Sequence, residues 1–443
     1  MKSFGPSESG TDVPDASGSG GQANRIPRQL SLDQAEEILL RNNLAVTAAR
    51  FGVESAEAQR LIASLKPNPT VTLGGEQFDV GHPFRDLVTT NPNTAANRVY
   101  TFRWDQLIER GNKRQIRTDA AQFQLEAAQA QVLDVTRQQM FNLRQAFYTA
   151  VLARENLRVA DENLYLINST EQLIKLHVDA GDSPEWDLIK FQANKVQYQN
   201  DLVSAQLSYQ QSVRDLLNYM GAQPSQVDAS LTVSNPNQLT QYLQDAPIEV
   251  IGDLAARSID LSADELRQAA LANRPDILVA QRNLDAAQRN LDLARALRHR
   301  DIDIAGEYQR EGGENTVGVT VSIPLFVHNN HQGDIDQAQA QLSQARAQLQ
   351  QVKLQVMTDV DKAYRGYQLS KQLVGIYTSE ALAKAEQSFQ IAGMSYKEGA
   401  TSLLELQDAQ RTYNQTRVAY NQAHFNYRLS LYQLEVATGR KLL

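Results

Sequence analysis

The sequence predicts a mainly α protein with a membrane β-barrel, in which long coiled-coil helices join short strands, four per chain. Three observations carry this. Two stretches of about 65 residues contain almost no helix breaker. Short runs beside them alternate apolar and polar residues. The whole pattern occurs twice along the chain.

Composition narrows the function classes. The 443 residues carry 43 Lys and Arg against 51 Asp and Glu, a net charge of −8. Such a chain lacks the basic face that a phosphate backbone requires, so nucleic acid is not an expected partner. Cysteine is absent, which excludes disulfides, thiolate metal sites and cysteine catalysis. Scarce aromatics with abundant Gln and Ala suit long helices better than a thick core. No apolar run reaches about 18 residues, so no transmembrane helix is predicted. No nucleophile elbow, phosphate loop, dinucleotide fingerprint or HExxH motif occurs, so neither an enzyme nor a cofactor is expected.

The elements follow in order. Residues 1–29 read as a Ser/Gly-rich disordered leader without the apolar middle of a signal peptide. A first repeat spans residues 30–221, a linker 222–261, and a second repeat 262–443. Asn42 matches Asn273, Val71 matches Ile302, Gly75 matches Gly306, Glu76 matches Glu307, Gly181 matches Gly399 and Gly221 matches Gly439. The first repeat has the longer strand-to-strand loop, residues 79–97, where the second has only REGGEN. Each repeat opens with a capping box, Ser31 with Gln34 and Ser262 with Glu265. Pro275 suits the first turn of the next helix. The first hairpin is expected over about 70–104, its long helix over about 113–178, and the returning helix over about 184–220. In the second repeat these become about 301–326, 334–398 and 402–438.

Strand alternation separates two faces. Ile302, Ile304 and Tyr308 fall on one side, Asp301, Asp303 and Glu307 on the other. Val317, Val319, Val321 and Ile323 oppose Thr316, Thr320 and Ser322, and Tyr100, Phe102 and Trp104 share a face. A helix of about 65 residues extends about 100 Å, which suits a coiled coil or a tube. A stripe of Leu342, Ala345, Leu349, Val352 and Val356 marks its packing side. Four strands do not close a barrel, which needs about eight. Three chains give twelve strands, twelve helical staves and a wet lumen lined by Asp301, Asp303 and Thr320. A soluble coiled-coil scaffold is the alternative of another class, and it leaves the alternating strands unexplained.

NRPDILVAQRNLDAAQ and SIPLFVHNNHQGDIDQAQAQL give this duplicated helix–hairpin–long-helix pattern its resemblance to the TolC family of outer-membrane factors, over about residues 30–443. The second motif is most similar to the CzcC-type heavy-metal branch. The resemblance implies a homotrimeric channel-tunnel in the outer membrane of a Gram-negative bacterium, with its helical tunnel in the periplasm. It implies contact with outer-membrane lipid, a periplasmic adaptor and an inner-membrane resistance-nodulation-division pump. The cargo it implies is divalent heavy-metal cations, with drugs or secreted proteins as the alternative.

Two helix breaks, VDAGDSPEWDLIK and YKEGATSLLELQD, form the far end of the tube. Gly181 and Gly399 suit positive φ at a helix end, and Ser183 before Pro184 suits a restart. The resemblance implies that Gly181, Asp182, Ser183, Gly399, Ala400 and Ser402 meet the adaptor. It also implies an acidic lumen ring at Glu405 and Asp408, whose mutual repulsion raises some carboxylate pKa values. It further implies a lock in which Tyr396 hydrogen-bonds Asp187. This chain departs from that lock, with Thr401 in place of its arginine and Trp186 in place of a small polar residue. Ser402 and Glu405 also read as a capping box.

The six histidines are scattered, and only His328 and His331 have ligand spacing, with Asp334 as a third donor. A solvated strand-to-helix loop is the other reading of that segment. Arg110, Lys113, Arg114 and Arg117 follow the second strand and read as lipid-headgroup anchors or as a solvated helix start.

Overall fold

A computed structural model describes residues 26–76, 99–223, 225, 227, 246–255, 258, 262–311 and 314–442. Most of the leader, most of the linker and the 79–97 loop with His82 lie outside the described residues. The chain divides into two compact units. One takes residues 1–43, 139–258 and 366–432, and the other 44–138, 259–365 and 433–443.

The first repeat runs β1 (Gln29–Leu30), α1 (Leu32–Asn42), α2 (Leu44–Ser64), β2 (Thr70–Glu76), β3 (Val99–Ile108), α3 (Lys113–Asp179) and α4 (Glu185–Tyr219). After β4 (Glu249–Val250) the second runs α5 (Ala263–Asn273), α6 (Pro275–Ala296), β5 (Ile302–Glu311), β6 (Glu314–Ser322) and α7 (Gln332–Ile376). A π-helical turn (Tyr377–Ala381) then leads to α8 (Leu382–Lys397) and α9 (Leu403–Thr438). Both opening capping boxes form, Ser31 with Gln34 and Ser262 with Glu265. Pro275 is the first residue of α6, where its missing N–H costs no helical bond. No described helix is long and apolar enough to cross a membrane.

Three element limits differ from the sequence expectation. β3 continues four residues beyond Trp104, because period-two pairing persists to Ile108 opposite Ile302. β6 stops at Ser322 rather than 326, since Pro324 has no N–H to donate to a ladder. The second long helix is interrupted by the π-turn, in which one backbone turn takes in an extra residue.

In the unit containing α4, the core gathers Leu30, Leu39, Leu143, Phe147, Val151, Leu157, Tyr209 and Leu216 around the parallel pair β1–β4. Tyr209 Oη donates to Ile248 O at 3.3 Å and Arg154 donates to Gly252 O at 2.7 Å, which fix the segment around β4 on the helices. In the other unit Leu291 and Ala294 of α6 meet Ala338 and Leu342 of α7. The predicted stripe on α7 is inward, with Leu342, Ala345, Leu349 and Val356 buried.

Each repeat closes on itself through the same joint. In the first, Asn43 Nδ2 donates to Tyr219 O at 2.9 Å. Gly221, at φ +67°, sits so near that an added Cβ would meet Asn42 O at 2.6 Å. In the second, the equivalent residue is Arg274, whose guanidinium donates to Ala437 O at 3.3 Å. Gly439, at φ +66°, has Asn273 O at 3.1 Å from its Cβ position. Arg274 is buried and paired with Asp276 at 2.6 Å and Asp359 at 3.1 Å, so its charge is compensated.

A glycine series tests this joint. Gly221→Ala combines positive-φ strain with a backbone clash and is expected to destabilise by about 2–4 kcal/mol. Gly181 has a similar φ but nothing within 4 Å of a Cβ, so Gly181→Ala is expected to cost about 1 kcal/mol. Thermal denaturation in detergent reads both, and equal shifts would remove the joint's close approach as the reason for glycine.

Candidate functional site

The four-stranded antiparallel sheet has the order β2-β3-β5-β6. Directly opposed residues share a face, so the registers assign both sides. Val71 opposes Trp104, Leu73 opposes Phe102, Phe102 opposes Tyr308, and Tyr308 opposes Val317. Ile108, Ile302, Ile304, Val319 and Val321 extend the same apolar face through their own pairings. The other face carries Thr72, Arg103, Asp105, Asp303, Glu307, Thr316 and Thr320. There Arg103 bridges Asp105 at 2.8 Å and, across the strands, Glu307 at 3.4 Å.

The apolar face is open to solvent. Val317 is 81% exposed, and Leu73 and Val319 are 77% exposed. A contiguous apolar surface of this kind marks a membrane or a protein partner. Among the described residues the outer strands β2 and β6 each pair on one side only. The described residues therefore present a sheet that is apolar on one face, polar on the other and singly paired along both outer strands.

The strands turn into helices by one device used twice. Asn112, at φ 58°, immediately precedes α3, and His331, at φ 61°, immediately precedes α7. Asn and His tolerate the left-handed region better than most residues. His331 Nδ1 lies 2.7 Å from Asp334 Oδ2, and its ring meets Phe326 edge-on at 5.0 Å. No group of three His, Asp or Glu side chains able to hold a metal occurs among the described residues. Asp301 differs from its expected place on the lumen face. It precedes β5, accepts from Arg110 N and binds Lys113 Nζ, both at 2.8 Å, because the β3–α3 turn brings those donors to it.

α3 and α8 stop with the same hydrogen-bond pattern. Gly181 N donates to Val178 O at 3.0 Å and Asp182 N to His177 O at 2.9 Å. Gly399 N donates to Tyr396 O at 3.1 Å and Ala400 N to Ser395 O at 2.8 Å. This pair of hydrogen bonds closes a helix when the residue just past its end takes positive φ, here Gly181 and Gly399. Asp182, Ala400 and Ser402 are exposed and Ser183 is partly so. Beneath the turns, Ile167, Ile174, Phe191, Tyr396 and Leu406 form an apolar cluster.

The two expected tip devices take particular forms. Glu405 closes a capping box, with Ser402 N donating to its Oε2 at 3.0 Å and Glu405 N to Ser402 Oγ at 3.3 Å. The Thr401 hydroxyl also donates to that carboxylate. These donors, Thr401 first, lower the Glu405 pKa rather than raise it, so within one chain the carboxylate is held ionised. Asp408, one turn on, pairs with exposed Arg411, a contact of small worth in solvent. Both carboxylates line one groove with Lys384, Ser388 and Ser395 of α8. Tyr396 does not hydrogen-bond Asp187 as the expected lock requires. Its ring is buried in the tip cluster and lies 5.7 Å from His177. Burial, then the nearby Asp187 charge, push the phenol pKa up. Sequence reasoning missed Arg411 and His177. Helical spacing gave a signal for Arg411, three residues after Asp408, and none existed for His177 on another helix.

A family model described as "Outer membrane efflux protein" matches residues 37–222 and 266–440, one segment in each repeat. The chain is 24% identical over 394 residues to the cobalt-zinc-cadmium resistance protein CzcC of Cupriavidus metallidurans, covering 88% of this chain and 85% of that protein. It is 23% identical over 431 residues to the pyoverdine export outer membrane protein OpmQ of Pseudomonas putida, covering 92% and 84%. A solved structure of CusC, described through its folding and transmembrane channel formation, superposes with a TM-score of 0.73 at 19% identity, covering 96% of this chain and 95% of that one. The fold is thus that of the TolC-like channel-tunnels, which sets aside the soluble scaffold. An apolar-outside sheet, long polar helices and a match across both repeats together identify the chain as a member of the outer membrane efflux protein family, a non-enzymatic exit duct of the Gram-negative outer membrane with a periplasmic helical tunnel.

Proposed function

We propose that three copies close one 12-stranded barrel and pass divalent heavy-metal cations outward from an inner-membrane resistance-nodulation-division pump, received through a periplasmic adaptor. The observation that carries the assembly is the sheet, with its apolar exposed face and its two singly paired edges. Joining β6 of one copy to β2 of the next pairs both edges and leaves no open strand in lipid. The polar face, with Arg103, Asp105 and Glu307, then lines the lumen. A duct of this kind needs no energy source of its own.

Cargo is argued from the tip and from similarity. The relative CzcC is named for cobalt, zinc and cadmium resistance. Glu405 and Asp408 from three chains would set six carboxylates in a narrow ring that favours cations. Thr401, in the place of the family's lock arginine, holds Glu405 ionised instead. Tyr396 then holds the tip by packing in its apolar cluster, and opening separates the two hairpins when the adaptor meets Gly181, Asp182, Ser183, Gly399, Ala400 and Ser402. Similarity to the pyoverdine exporter OpmQ favours a second reading, an organic cargo in the same duct.

Three measurements test this. Val319→Arg places a charge on the apolar face and is expected to destabilise the membrane-inserted trimer by about 2–4 kcal/mol, whereas Thr320→Arg on the polar face is tolerated. Detergent-resistant trimer yield distinguishes them, and equal yields would reverse the wall assignment. Glu405→Gln with Asp408→Asn preserves the capping geometry and removes the charge. Single-channel recording should then show higher conductance and weaker block by divalent cations, and unchanged block would remove the gate role. Deleting the gene should lower tolerance to zinc, cobalt or cadmium by several-fold in growth assays. A strain that stays metal-tolerant but retains an organic compound favours the second reading.

A further inference from the structure

The sheet–helix junction collects more cations than the carboxylates paired with them among the described residues. Four segments meet there, all within one unit. Arg117 Nε donates to Ala63 O at 3.0 Å, which joins the start of α3 to the end of α2 and to Lys66 just beyond it. Arg110 N and Lys113 join the β3–α3 turn to Asp301, ahead of β5. Arg298 donates to Asn330 O at 3.3 Å and to Gln332 Oε1 at 2.6 Å. Arg300 lies over the Phe326 ring at 5.6 Å. These last contacts join the α6–β5 turn to the segment between β6 and α7.

Three of the nearby acids are already engaged. Asp301 holds buried Lys113, Glu109 holds Arg117, and Asp334 holds His331. Lys66, Arg110, Arg114, Arg298 and Arg300 remain exposed. None of their side chains pairs with a carboxylate among the described residues. In the same segments Leu65, Ile108, Ile323, Leu325 and Val327 are exposed apolar side chains. At the opposite end of the sheet the described charged residues are mainly acidic, Glu76, Glu311 and Glu314, with Arg310. The two rims therefore differ in sign.

Guanidinium groups bind phosphate oxygens in pairs, and an exposed apolar rim beside them suits an acyl chain. A free anion would use the cations and leave the apolar rim without a role. We propose that this junction binds anionic phospholipids of the periplasmic leaflet. Arg110, Arg114, Arg298 and Arg300 take the headgroup phosphate, and Leu65, Ile323 and Leu325 lie along the acyl chains. The inference rests on the membrane-wall reading of the sheet and adds to it a leaflet and a headgroup charge. Arg117 and Lys113, expected from sequence to share this role, are spent on Glu109 and Asp301.

The test reconstitutes the full chain in nanodiscs of phosphatidylcholine with about one-third phosphatidylglycerol and measures the lipid retained after detergent extraction. Each cation near an anionic surface strengthens association about fivefold, so the wild type should enrich phosphatidylglycerol at least about fivefold over phosphatidylcholine. The combined Arg110, Arg114, Arg298 and Arg300→Gln variant should fall to near parity. The matching Arg→Lys variant should keep most of the enrichment, which a purely structural role of these arginines would not produce. Inserted trimers with no enrichment, or a Gln variant as selective as the wild type, would overturn the lipid site alone. Selective release of phosphatidylglycerol by inorganic phosphate, beyond that by chloride at equal ionic strength, would make the site one for the free anion and overturn it too. Failure to enter the discs would overturn the wall reading and this inference with it.

Discussion

A backbone amide in hydrocarbon has no water to turn to. That constraint governs this chain, because its four-stranded sheet exposes an apolar face while its outer strands pair on one side only among the described residues. A four-stranded sheet with such edges is not a stable membrane object by itself. Closure with further copies satisfies the ladder and explains why the polar face carries Arg103, Asp105 and Glu307 in mutual ion pairs. A charged cluster of this type belongs in a wet interior rather than against lipid. The strands are short because Pro324 ends one of them and the turns at Asn112 and His331 redirect the chain.

Duplication supplies the economy of the design. The same joint secures each repeat, a residue after the first short helix reaching a carbonyl two positions before a positive-φ glycine. The chemistry has diverged within that geometry. Asn43 uses one neutral amide, whereas Arg274 is a buried cation balanced by Asp276 and Asp359. A buried cation demands such partners, so the second joint is tied to α7 through Asp359 in a way that the first has no need for. The π-turn at Tyr377–Ala381 likewise belongs to the second repeat, while α3 runs unbroken for 67 residues.

At the tip, structural and functional demands fall on the same atoms. Glu405 is a cap, and its carboxylate is held by Thr401 and Ser402. A cap that must accept from backbone N–H groups is ionised most readily, which suits a residue proposed to present charge to a cation path. Tyr396 instead serves the apolar cluster with Phe191 and Leu406, where burial, then the Asp187 charge, keep its phenol protonated. The proposed lock thus depends on packing more than on one directional contact.

The sequence by itself determined what depends on local chemistry and period. The capping boxes at Ser31 and Ser262, the start of α6 at Pro275, the helix ends at Gly181 and Gly399, and the two faces of each strand were all legible. Each follows from a hydrogen bond within a few residues or from the two-residue repeat of a pleated chain. Tertiary structure decided which distant groups share an ion. Asp301 reads as a lumen residue by alternation, yet the β3–α3 turn places Lys113 and the Arg110 amide on it. The pairing of Arg117 with Glu109, of Tyr396 with the His177 ring, and of Arg274 with Asp359 likewise depends on where separate elements meet. Periodicity fixes the side of an element on which a residue lies, but not the neighbour that occupies that side. Only the assembled fold therefore reveals which charges are neutralised and which remain free for a partner.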